Sequence, residues 1–151
     1  MRRKEKEITD PAEIESIIRE APVCRIGLCD RDQPYVVPVC FGYREGCLFF
    51  HSAQEGRKID MLRKNPRVCF EVDVPGRLTG TGPLCDRGIQ YRSVIGFGVA
   101  EFLVDPEEKR AGLACIVAHY MNEPAVFPEN AVNSVSVIRV KITSMTGKQS
   151  S

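Results

Sequence analysis

Between Pro34 and Val74 the hydrophobic pattern changes from strand to helix and back to strand within a short span, and few folds accommodate that order. Two apolar runs, Tyr35 to Phe41 and Cys47 to Phe50, flank Arg44-Glu45-Gly46. Gly46 can take the positive φ of a tight reversal, so the spacing predicts a β-hairpin. Its second arm delivers His51-Ser52-Ala53 to a turn. Gly56-Arg57-Lys58-Ile59-Asp60-Met61-Leu62 then reads as a helix, and Asn65-Pro66 ends it because proline disfavours the α conformation in the residue before it. In the strand that follows, Val68, Phe70, Val72 and Val74 share one face, and Cys69, Glu71 and Asp73 the other. A His and a Ser at a strand end, followed by two cations at a helix start, suit a bound phosphate, since helix amides and fixed cations both favour an anion.

The flanking segments point to an antiparallel sheet. Asp10-Pro11-Ala12-Glu13 is a helix start, the stripe Ile14, Ile17 and Ile18 follows, and Pro22 stops it. Cys24, Ile26 and Leu28 alternate with Val23, Arg25 and Gly27 in a first strand, and Asp30-Arg31-Asp32-Gln33 is a polar turn. Pro38 lies inside the second strand, where a residue without an N–H marks an edge, a bulge or the approach of a ligand. Pro75 to Gly88 has the Gly and Pro content of an irregular loop. Ile89 to Val104 is expected as one bent strand or two, with the bend at Gly96 and Gly98. Asp105-Pro106-Glu107-Glu108 opens a second helix expected to bury Leu113, Ile116, Val117 and Tyr120. Residues 123 to 133 read as a connector, Val135 to Ile142 as the last strand and Thr146-Gly147-Lys148 as a tail. Residues 1 to 9 are charged and are expected to order only against a neighbour. About six strands with helices that never alternate one for one with them give a mainly β class, a β-barrel with attached helices; a doubly wound parallel sheet fits less well.

At 151 residues the chain is expected to form one domain, residues 1–151. The 21 basic and 20 acidic side chains leave a net charge of +1, which argues against nucleic acid or an anionic membrane as partner. The charged start has no apolar signal core, so a cytoplasmic location is expected. Seven cysteines, odd in number and without a CxxC pair, read as structural thiols rather than metal ligands, Cys85 in its polar loop being the one to watch. His51 is either a strand-end hydrogen-bonder or a catalyst, since nothing supplies a Ser/His/Asp order or a zinc ligand set. His119 reads as a surface or helix-terminal residue. Arg57 and Lys58 are either a solvated helix face or two cations waiting for an anion.

The pattern PYVVPxxFGY, then FFHSAxxGRKxxxLxxNPxVCFEVD, then Tyr91-Arg92-Ser93-Val94-Ile95-Gly96-Phe97-Gly98, then Thr146-Gly147-Lys148, resembles the nitroimidazole-resistance (Nim) branch of the pyridoxamine 5'-phosphate oxidase-like flavoproteins. The likeness covers nearly the whole chain. It implies a six-stranded antiparallel split β-barrel of the FMN-binding type, and a homodimer with the flavin at the subunit interface. FMN is the implied cofactor, with FAD as the alternative. By the resemblance its phosphate lies on Ser52, Arg57 and Lys58, its ring lies against the strand of Pro38 and Val39 and near Phe50, His51 and Ala53, and Tyr91, Ser93, Val94 and Lys148 complete the site. His51 is the implied catalytic residue, protonating a reduced acceptor. Two functions stay open: an oxidoreductase carrying electrons from NAD(P)H to a small acceptor such as a nitroimidazole, and a flavin-binding electron carrier or redox sensor. Pyridoxamine phosphate oxidation is less expected, because no arginine-rich segment lies near residue 151.

Overall fold

A computed structural model describes residues 3–150, and every ladder in it is antiparallel. Asp10 caps α1 (Pro11–Glu20) by accepting from the Ala12 amide at 3.0 Å, and Ile14, Ile17 and Ile18 turn inward. β2 (Cys24–Asp30) and β3 (Gln33–Val39) form a hairpin across Arg31-Asp32. β4 (Phe41–Arg44) and β5 (Cys47–Ser52) form another across Glu45-Gly46, whose φ values of 50° and 73° belong to the reversal that matches twisted strands. The arm expected as one strand from Tyr35 to Phe41 is therefore two, broken at Cys40, because it pairs with β2 before that residue and with β5 after it. β3 has a neighbour on one side only, the edge position at which Pro38 is tolerated.

The order across the sheet is β3-β2-β6-β7-β8-β5-β4, where β6 is Arg67–Thr79, β7 is Gly88–Phe102 and β8 is Ser136–Ser150. The two end strands are consecutive in the chain and meet at Cys40 without a ladder between them. That is a split barrel. α2 (Arg57–Lys64) crosses from the end of β5 to β6, and its Lys64 reaches Asp30 of β2 at 3.0 Å. β6 runs further than expected, through Pro75 and Gly76 to Thr79, since its ladder with β7 resumes after a shift in register between Pro75 and Leu78. β7 is a single strand. Gly96 leaves room for the Phe70 ring, from which a Cβ would lie 2.3 Å, and the bend comes from a register shift against β8 between Phe97 and Gly98. The expected tail continues β8, which pairs with β1 (Glu7–Ile8) through Lys148 and Gly147 and so ties Glu7 and Ile8 to the sheet.

Leu48, Phe50, Phe70, Val72, Ile138 and Val140 fill the barrel and form one cluster with Ile14, Ile17 and Ile18 of α1 and Ile59 and Leu62 of α2. A second cluster, including Phe49, Leu113, Ile116, Val132 and Val137, lies under α3 (Pro106–Tyr120) and α4 (Glu129–Asn133), the latter falling in the segment expected as a plain connector. Val117 is only half-buried and Tyr120 is exposed, unlike the burial expected of them. Tyr120 is held by its hydroxyl, which accepts from the Phe41 amide at 3.1 Å and donates to the Pro22 carbonyl at 2.9 Å. Tyr120→Phe should cost about 1 kcal/mol in urea unfolding, the usual net worth of such a bond, and no loss would mean water replaces the hydroxyl without penalty. His119 Nε2 lies 2.7 Å from the Ala21 carbonyl, a role in helix docking. Burial pushes the Cys24 thiol up to about 12, which makes it inert at neutral pH, whereas Cys40 and Cys85 are exposed. Among the described residues, no helix is long and apolar enough to cross a membrane.

Candidate functional site

Alternation along β5 decides what its end presents. Phe50 points into the barrel and Ser52 follows on the same face, while Phe49 and His51 take the other. α2 begins immediately after, at Gly56 with φ 124°, a conformation that suits glycine. Its first two side chains diverge. Lys58 Nζ sits 5.8 Å from the centre of the Phe50 ring, and the Arg57 guanidinium lies 4.6 Å from that of Tyr35 on β3. Burial pushes the Lys58 ammonium below the ordinary lysine value. Arg25, Lys64, Arg92 and Arg139 all have carboxylate partners, but among the described residues Arg57 and Lys58 have none. Two uncompensated cations at a helix start, one of them partly desolvated, make a candidate anion seat. It lies between the end of β5, with exposed Ala53 beyond it, and the edge strand, where Pro38 is exposed and Val39 buried. Tyr35, under Arg57, belongs to this seat and had no signal in the sequence that set it apart from strand core.

A second group forms on β7 and β8. Tyr91 and Ser93 share the outer face of β7, Lys148 pairs opposite Ser93, and Lys148 Nζ lies 5.7 Å from the centre of the Tyr91 ring. Val94 faces inward and is fully buried, so only its backbone is open to a ligand. The two groups lie far apart in one chain. Ser52 pairs with Ser136 of β8 and Ser93 with Lys148, twelve residues further on, about 40 Å along the strand. His51 joins neither: it opens onto a separate cavity beside α3 and α4.

A family profile for pyridoxamine 5'-phosphate oxidase matches residues 10–149. The chain belongs to that family. It is similar to the crystal structure of a candidate 5-nitroimidazole antibiotic resistance protein from Bacteroides thetaiotaomicron, with 38% identity and a TM-score of 0.87 over 95% of this chain and 86% of that one. A FAD-binding protein from Mesorhizobium loti superposes with a TM-score of 0.71 at 25% identity, over 94% of this chain and 96% of its own. An uncharacterised protein of Rhizobium meliloti is 32% identical over 60 residues, 40% of this chain and 39% of that relative's length. The split barrel of this pyridoxamine 5'-phosphate oxidase family member is thus the fold that its motifs implied.

Proposed function

We propose that this chain is an FMN-dependent oxidoreductase that works as a homodimer and passes electrons from a reduced nicotinamide to a small acceptor such as a nitroimidazole. The observation that carries this reading is Lys58: a partly desolvated ammonium, without a carboxylate, at the start of a helix and in line with Ser52 and Phe50. Desolvating a cation costs free energy that an anionic ligand recovers, and a flavin phosphate is the anion that the FAD-binding Mesorhizobium relative suggests. Bound there, FMN would supply reversible acceptance of a hydride from the nicotinamide and its release to the acceptor. Ser52 and Lys58 would hold the phosphate, Arg57 would approach it from the Tyr35 side, and exposed Pro38 with the backbone at Val39 and Phe50 would offer a wall for the ring. His51, on the other face of β5, would serve an acceptor rather than the phosphate.

Separation of the two half-sites supports the dimer. One flavin cannot span about 40 Å of β8, so Tyr91, Ser93 and Lys148 complete a site only for a second copy. Their face continues into exposed Ile95, Phe97 and Val99, and a groove of about 620 Å³ there is also lined by Val36 and Cys69. Phe97→Glu should give a monomer by light scattering and lose most of the bound flavin; a monomer that keeps its flavin would reject the shared site. A visible spectrum of the purified protein, before and after NADPH is added, tests the reaction. A flavin spectrum that bleaches on NADPH and recovers with a nitroimidazole is expected, and bound flavin that does neither would make the chain a carrier or sensor.

A further inference from the structure

Where α1, β4 and α3 meet, they leave a cleft of about 480 Å³. Small side chains of α3 make the room, since Ala114, Cys115 and Ala118 line it where longer residues would fill it. Two guanidiniums face the same space, Arg19 from α1 and Arg44 from β4. Arg19 is already restrained: it donates to Glu15 Oε2 at 2.7 Å and lies 5.7 Å from the centre of the Tyr43 ring, whose hydroxyl donates to the other Glu15 oxygen at 3.0 Å. Glu15 itself does not line the cleft. Arg44 lies 5.7 Å from the centre of the Phe49 ring and has no carboxylate partner among the described residues. Burial pushes the Cys115 thiol up, against the pull of Arg44, so the α3 side of the cleft is uncharged at neutral pH. His119 is a fixed wall, its Nε2 2.7 Å from the Ala21 carbonyl oxygen and its ring centre 4.3 Å from that of Phe41. Arg19, Arg44 and Glu15 together leave one positive charge, which a monoanion neutralises. The planar fork of a guanidinium matches a carboxylate with two parallel hydrogen bonds. Exposed ion pairs gain little when two long side chains must be immobilised, but here the Glu15 bond and the two aromatic rings have restrained the arginines beforehand.

We propose that the cleft between α1, β4 and α3 is a binding site for a small monocarboxylate, its carboxylate held by Arg44 and Arg19 and its apolar body lying on Ala114 and Ala118. None of these residues belongs to the candidate anion seat, and the site does not depend on the flavin reading. Benzoate is the probe, titrated into the full chain by calorimetry and followed by NMR shifts of the amides around Cys115 and His119. Saturable binding is expected, with benzamide, of the same shape but neutral, about tenfold weaker or more, the usual worth of a charge-assisted contact. Arg44→Gln should weaken benzoate by a similar factor while the melting temperature and FMN affinity stay at the wild-type values. Ala118→Leu makes the same test without removing a charge: residue 118 is exposed, so the fold tolerates a longer side chain there while the cleft is filled. Lys58→Ala should leave benzoate binding unchanged. Absence of saturable benzoate binding, benzamide binding as tightly as benzoate, or undiminished binding by both Arg44→Gln and Ala118→Leu overturns the site. Loss of benzoate in Lys58→Ala with retention in Arg44→Gln also overturns it, by placing the carboxylate at the start of α2.

Discussion

Lys58→Ala lowers FMN affinity by one to two orders of magnitude and leaves riboflavin affinity almost unchanged. A charge-assisted hydrogen bond is typically worth about 1.5 to 3 kcal/mol, and each 1.4 kcal/mol is about tenfold in a dissociation constant. Lys58 falls toward the upper part of that range because its ammonium is half-buried and has no carboxylate partner, so the folded protein holds a poorly solvated charge until the phosphate arrives. Arg57→Ala should cost less, about tenfold, since that guanidinium is exposed and rests on Tyr35. Quenching of flavin fluorescence on titration separates these cases. The contrast between FMN and riboflavin is decisive: equal losses for both would mean that Lys58 supports the ring or the fold, and no loss for either would put the phosphate elsewhere.

The placement of the candidate anion seat could be read from the chain because its parts are local. Ser52, Gly56, Arg57 and Lys58 follow one another, and both the reversal at Glu45-Gly46 and the proline after Asn65 are set by backbone sterics within a few residues. The divergence of Arg57 from Lys58 could not be read in this way. Adjacent helix positions point about 100° apart, and which neighbour each meets depends on β3 and β5 being brought together at the split edge. Composition misled at Pro75-Gly76, where two residues that favour loops sit in a ladder whose shifted register absorbs them. The same holds at Thr146-Gly147-Lys148, which extends β8 because β1 and β7 offer partners from distant parts of the chain. His51 was singled out as a residue but not by its surroundings. Alternation from Phe50 already puts it on the far face, yet the cavity it meets there is made by α3 and by α4, whose five residues carry too little periodicity to stand out from a connector.

Gly42→Ala is expected to cost about 3 kcal/mol in urea unfolding, the upper range for overpacking in a well-filled interior. A Cβ at residue 42 would stand 2.4 Å from the Cys115 carbonyl oxygen, 2.5 Å from its carbon and 2.7 Å from the Ile116 nitrogen. These are backbone atoms of α3, so no side chain can rotate away and the helix itself must lift off β4. Lifting it strips contacts from Leu113 and Ile116, which join α3 to Phe49 and Val137 in the second cluster. Gly46→Ala is the control: it meets nothing within 4 Å but keeps a φ of 73°, and should cost about 1 kcal/mol through backbone strain alone. A Gly42 penalty no larger than the Gly46 one would mean that α3 yields freely on the barrel. A large penalty with FMN affinity preserved would show that the seating of α3 on β4 acts through the second cluster and not through the two cations at the start of α2.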